Sequence, residues 1–174
     1  MQRAGDEQKP VYKVMASACK FVPNFIIAKL AQDYLSPYII GQVTPYLDPK
    51  AAAAIGKAIR SDYLGKTTMY VAPEITAQIA TNMGMPHIYN VFEEMDKMGY
   101  YHRLGEITDF LAEKEILAIL KKNPGTNLLY KTVQYMKNEK IIRVIAKNVS
   151  AEDKRIIHDK LEEAGSENRR YFEF

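Results

Sequence analysis

The sequence predicts an all-α protein: a right-handed superhelix, or solenoid, of about ten to twelve short helices. Prolines recur along the chain, apolar residues follow them at helical spacing, and strand signals are weak. Prolines stand at Pro23, Pro37, Pro49, Pro73, Pro86 and Pro124. Many of the gaps are about 12 residues or a small multiple of that. The stretches LSPYIIGQVTPYL, DPKAAAAIGKAI, RSDYLGKTTMYV, APEITAQIATNM and GMPHIYNVFEEM align. After Pro37 come Ile39, Val43 and Leu47; after Pro49, Ala51, Ile55 and Ile59; after Pro73, Ile75, Ile79 and Met83. Steps of four place each trio on one helix face.

Residues 1–10 read as a flexible N-terminus, 11–164 as a single helical-repeat domain, and 165–174 as a tail. A proline at the first helical position forfeits no hydrogen bond and discourages helix in the residue before it. Ser36, Asp48 and Asn123 precede Pro37, Pro49 and Pro124 and are predicted N-caps. Pro73 and Pro86 open two helices whose buried seams are Ile75, Ile79 and Met83, then Ile88, Val91, Phe92 and Met95. Residues 96–120 read as a longer pair of helices split near Gly105 or Ala112. The run IIRVIA, 141–146, has the composition of a buried strand, but Ile141, Ile142, Ile145 and Val149 keep a helical period. Ser150 and Asp153 form a capping-box variant that opens a last helix. In the tail, Tyr171, Phe172 and Phe174 are suited to docking on the array or on a partner. Helices of three turns are not stable alone in water, so each must stack on its neighbours. A four-helix bundle would need helices about twice as long.

The chain has 174 residues, 47% of them hydrophobic and 26% charged, enough for one core or one repeat array. A net charge of +3 is mildly basic, below what a dedicated nucleic-acid binder carries. The single Cys19 excludes an intramolecular disulfide and any zinc site built on several thiolates. No signal-peptide core follows the polar start, and the apolar run 21–41 is broken by Pro23, Lys29, Asp33 and Pro37. These features predict a cytoplasmic protein without membrane insertion; docking onto a membrane protein stays open.

DPKAAAAIGKAI and APEITAQIATNM resemble the repeat of the N-terminal cytoplasmic domain of MgtE-type magnesium channels, and the related repeats of the flagellar switch protein FliG. Both families start a short helix near an Asp-Pro or Pro-Glu pair, run it through small positions, and end it on Ile, Leu or Met. The likeness covers roughly residues 35–120. It implies an all-α superhelix with an interaction or regulatory role. The channel's acidic magnesium-sensing residues have no counterparts that can be matched here, so the resemblance implies no metal ligand.

No histidines pair at a four-residue step, as a zinc protease helix requires. A metal site of His87, Glu94 and His102 competes with the plainer reading of exposed acids and gap-filling histidines, which is preferred. Cys19 reads as a buried small hydrophobe. The segment NPGTN, 123–127, is a turn, not a phosphate loop. No cofactor is predicted. Tyrosines suit interfaces, and Tyr100, Tyr101 and His102 cluster in sequence, with His87, Tyr89 and Phe92 one element earlier. Residues 84–115 are net acidic; residues 119–149 are net basic through Lys121, Lys122, Lys131, Lys137, Lys140, Arg143 and Lys147. Tyr130 and Tyr135 interleave with these cations, a mild pointer to nucleic acid, which the overall charge disfavours.

The function these observations predict is a non-enzymatic interaction or regulatory module that binds a protein partner or itself. Its predicted contact residues are His87, Tyr89, Tyr100, Tyr101, His102 and the seven cations of the basic segment. The alternative is an intracellular sensor of a small ligand or divalent ion.

Overall fold

The computed structural model describes residues 3–173. Among these, every regular element is helical: twelve α-helices joined by short turns, and no strand. In order they are α1 (Arg3–Ala18), α2 (Asn24–Tyr34), α3 (Pro37–Val43), α4 (Pro49–Gly56), α5 (Ser61–Thr68) and α6 (Pro73–Met83). Then come α7 (Met85–Lys97), α8 (Tyr101–Thr108), α9 (Glu113–Leu120), α10 (Thr126–Val133), α11 (Glu139–Asn148) and α12 (Ala151–Glu163). No helix among the described residues is long and apolar enough to cross a membrane.

Local chemistry explains several boundaries. Ser36 accepts a hydrogen bond from Ile39 N, Asp48 accepts from Lys50 N and Ala51 N, and Ser150 accepts from Asp153 N, so three predicted caps act as caps. Pro37, Pro49 and Pro73 each occupy the first turn of a helix. Gly84 ends α6 at φ +85°, a conformation open to glycine, and α7 starts at the next residue.

Several expectations are corrected. Asn123 does not cap a helix: it sits at φ +51°, and α10 starts only after Gly125, at φ +81°. Residues 3–10 are helical, continuous with α1, where a flexible leader is expected. Of the two split points read for 96–120, Ala112 lies at the break, just before α9, whereas Gly105 lies inside α8; the breaks fall at 98–100 and 109–112. Ala51 faces solvent, and Ala52 and Ala53 take the buried positions of α4. The segment 165–174 is no free tail, for Glu167–Phe172 forms a 3-10 turn that buries Tyr171 and Phe172. Phe174 lies outside the described residues.

The chain divides into two compact units, residues 1–87 and 88–174. In both, helices pack on the helix two places along the chain. In the first unit α3 packs on α1 and α5, and α4 packs on α2 and α6. Its core joins Ala28 and Ala31 of α2 to Ile55, Ile59 and Tyr63, with Tyr12, Ala16 and Val43 in a second cluster. The Tyr63 hydroxyl donates at the end of α2, with Leu35 O at 2.7 Å and Ala31 O at 3.1 Å as acceptors. Cys19 packs half-buried against this core, and burial pushes its thiol pKa up. In the second unit α10 packs on α8 and α12, and α11 packs on α9 and on the 167–172 turn. The largest fully buried side chains, Met95, Leu104, Ile107, Val133, Ile142, Ile157, Leu161 and Phe172, all belong to it.

The repeating element is therefore a pair of helices, not a single one. Four pairs share one form: α3–α4, α5–α6, α8–α9 and α10–α11. In each the first helix has only 7 or 8 residues.

Candidate functional site

The first helix of each pair ends on a recurrent motif. Residues 41–46, 65–70 and 105–110 read Gly-x-x-Thr-x-aromatic; residues 130–135 keep the aromatic, with Tyr130 and Val133 in place of Gly and Thr. The threonine hydroxyl donates back into its own helix: Thr44 to Ile40 O, Thr68 to Gly65 O and Thr108 to Leu104 O, each at 2.7 Å. This occupies a backbone carbonyl near the helix end. A three-residue turn follows, closed by Leu47 N to Thr44 O, Val71 N to Thr68 O, Leu111 N to Thr108 O and Met136 N to Val133 O. The turn sends the aromatic outward and the next residue inward. Tyr46, Tyr70, Phe110 and Tyr135 are 37% to 51% exposed, whereas Val71, Leu111 and Met136 are buried.

One aromatic in each unit is also braced by the preceding first helix. The Tyr38 ring meets Tyr70 edge-on, with centroids 5.4 Å apart, and the His102 ring meets Tyr135 at 5.3 Å. Tyr38 and His102 each stand three residues before a glycine, Gly41 or Gly105. Each glycine leaves room for the main chain of the braced tyrosine: a Cβ on Gly105 would lie 2.9 Å from Tyr135 Cβ, and one on Gly41 would overlap Tyr70 Cβ. Such bracing removes freedom that a ring would otherwise lose on binding.

In the second unit the structure unites two features that are separate in sequence. The Tyr101 hydroxyl donates to Asp96 O at 3.3 Å and accepts from Lys131 Nζ at 3.2 Å. That bond holds the Lys131 pKa above its ordinary value. His102 is exposed beside Tyr135, its Nδ1 3.7 Å from Glu106, a carboxylate that Arg103 also holds at 2.8 Å. Tyr101, His102 and Lys131 thus fall on helices α8 and α10, which pack on each other. Tyr100 precedes α8, half-buried. His87 and Tyr89 are half-buried on α7, where burial and then Glu93 raise the Tyr89 pKa.

The basic segment is distributed over several elements. Lys121 and Lys122 are exposed after α9, and Lys140 is exposed on α11. Lys137 is exposed too, but its backbone N–H is anchored, donating to the Asp109 carboxylate at 2.8 Å beside Asn138 N at 2.9 Å. Arg143 and Lys147, one turn apart on α11, line an open cleft of about 500 Å³ with Lys154, Ala151 and Tyr171. The Cζ atoms of Arg143 and Arg170 lie 4.8 Å and 4.9 Å from the Tyr171 ring centre, and Arg170 also donates to the Tyr171 hydroxyl at 2.7 Å. Arg170 pairs with Glu139 at 3.1 Å, and Lys154 donates to Glu173 O at 2.6 Å. The chemistry of this cleft suits an acidic group.

His87, Glu94 and His102 form no metal cluster; among the described residues no three His, Cys, Asp or Glu side chains converge on a metal-holding group. A small apolar gap of about 30 Å³ between Phe92, Ile116, Leu128 and Val133 has room for about two waters. Tyr38, Tyr46, Tyr70, Phe110 and Lys154 are absent from the predicted contact residues, and Tyr135 enters there only as an aromatic among cations. The recurring Gly-x-x-Thr-x-aromatic motif carries the signal for the rings; aligning on prolines hides it. No protein-family model, curated protein or solved structure matches this chain.

Proposed function

We propose that this chain is a non-enzymatic helical-repeat module, a right-handed superhelix in the cytoplasm, whose role is to bind a protein partner. The observation that carries this reading is the exposed aromatic set at the same turn of four helical pairs, Tyr46, Tyr70, Phe110 and Tyr135. Aromatic side chains on a rigid frame provide large contact area at low entropic cost. In the second unit Lys131 and Lys137 stand within four residues of Tyr135 in the chain and favour a partner with acidic groups. The resemblance to the MgtE and FliG repeats agrees with a regulatory or adaptor role. The test is a photo-crosslinking amino acid placed at Tyr70 or at Tyr135, with Lys57 as an exposed control. Discrete adducts with one protein at 70 or 135, absent at 57, support the reading. Identical adduct patterns at all three positions would refute it.

The resemblance also keeps the ligand-sensor reading in play, and the cation-lined cleft of Arg143, Lys147 and Lys154 favours an anion over a divalent metal as its ligand.

A further inference from the structure

Helix α2 is apolar on both sides. Its inner side, with Ala28 and Ala31, is packed into the core of the first unit. Its outer side shows Phe25, Ile26, Leu30 and Tyr34 to solvent. Lys29 and Asp33 share that outer side, but four large apolar groups exposed on one 11-residue helix exceed what a solvated helix face ordinarily shows. The turn before it, Cys19–Phe21, projects a further ring: Phe21 is 87% exposed and Phe25 is 68% exposed, with exposed Pro23 between them. The concentration is unusual. Of fourteen exposed large apolar side chains among the described residues, seven lie between Val11 and Tyr34. Charge is equally one-sided there. From Lys9 to Gln32 the chain holds Lys9, Lys13, Lys20 and Lys29 and no acid; Asp33, exposed at the end of α2, is the nearest. Lys13 lies 5.7 Å from the Tyr46 ring centre, and Lys20 and Lys29 are exposed.

We propose that this corner, Phe21 with the outer side of α2, adsorbs to an anionic lipid surface. Interfacial helices combine these two features, apolar and aromatic groups that enter the acyl boundary and lysines that meet anionic headgroups. A second copy of the chain fits the corner less well. A two-fold interface presents the same patch twice, so it would bring Lys20 and Lys29 of both copies together against only the two copies of Asp33. An anionic bilayer answers both the exposed rings and the excess positive charge. The helix lies in the surface and does not cross it, in keeping with its 11 residues.

The chain has no tryptophan, so Phe21→Trp supplies a probe at one place. The full chain is mixed with vesicles of phosphatidylcholine alone or with phosphatidylglycerol added. Expected are co-sedimentation and a blue-shifted emission from the introduced indole with the mixed vesicles only, both weakened by salt. Phe21→Glu with Phe25→Glu, and separately Lys20→Glu with Lys29→Glu, should each weaken binding at least about tenfold. Circular dichroism melts establish that these surface variants stay folded. The proposal is overturned if the wild-type chain ignores anionic vesicles, or if the Phe21/Phe25 variant binds as the wild type does. A wild-type dimer that the same variant converts to monomer would overturn it too, by assigning the corner to a second copy.

Discussion

The main chain of Tyr135 lies against Gly105 so closely that no larger residue fits: a Cβ at 105 would stand 2.9 Å from Thr132 O and 3.0 Å from the Tyr135 carbonyl carbon. Both neighbours are backbone and cannot rotate away. Gly105→Ala should therefore destabilise the chain by about 1–3 kcal/mol, in spite of alanine's better helix propensity. Gly41→Ala should do the same through Tyr70. Urea unfolding midpoints check both, and an unchanged or raised midpoint would contradict the close approach.

Glu115 is buried on α9, and its Oε2 has no hydrogen-bond partner. Among the described residues it pairs with Lys114, at 3.4 Å, and the Lys114 side chain is 77% exposed. A buried carboxylate oxygen without a partner costs more than its ion pair returns. Glu115→Met, of similar shape, should stabilise by about 1 kcal/mol and raise Tm. A lower Tm would show that the carboxylate has a role which the packing does not reveal.

Asp153 links the first turn of α12 to α10. Its carboxylate accepts from Ser150 Oγ at 2.6 Å and from the Thr126 hydroxyl, and these bonds, Ser150's first, hold its pKa below the ordinary carboxylate value. A carboxyl group depressed by folding contributes stability above its unfolded pKa, and that stability is lost as pH falls through the folded value. Asp153→Ala should thus be less stable than wild type near pH 7, and the gap should be narrower at about pH 3, below the ordinary carboxylate value. Urea midpoints at both pH values decide it; a gap that persists undiminished in acid would place the effect elsewhere.

Phe172 is fully buried although it lies two residues from the end of the chain. Asn168 holds the segment in place, its Nδ2 donating to Val133 O at 2.7 Å and Met136 O at 2.8 Å. Phe172→Ala should cost about 3–5 kcal/mol, and Asn168→Ala about 1 kcal/mol. Thermal melts of the two variants test whether these last residues belong to the core.

Much of the helical order is legible in the sequence because its causes are local. Ser36, Asp48 and Ser150 cap helices through their own backbone neighbourhoods, and Ile141, Ile142 and Ile145 bury one face at helical period. What escapes depends on partners far along the chain. Gly105 reads as a helix breaker until Tyr135 is seen against it. Asp109 reads as a surface acid until it receives Lys137 N and Asn138 N. The candidate contact residues divide in the same manner. Tyr101 and Lys131 stand out in sequence for separate reasons and turn out to be hydrogen-bonded, whereas the exposure of Tyr70 and Phe110 follows from a turn that proline spacing does not mark.

Within each unit, packing a helix on the one two places along keeps its partner only one helical pair away in the chain. Contacts so close in sequence have little loop-closure entropy to overcome. Folding should accordingly be fast for a chain of this length, in the range of helical proteins and well ahead of β-rich ones. Within a unit, a nascent chain can lay each new helix on one already made, without waiting for distant segments to emerge.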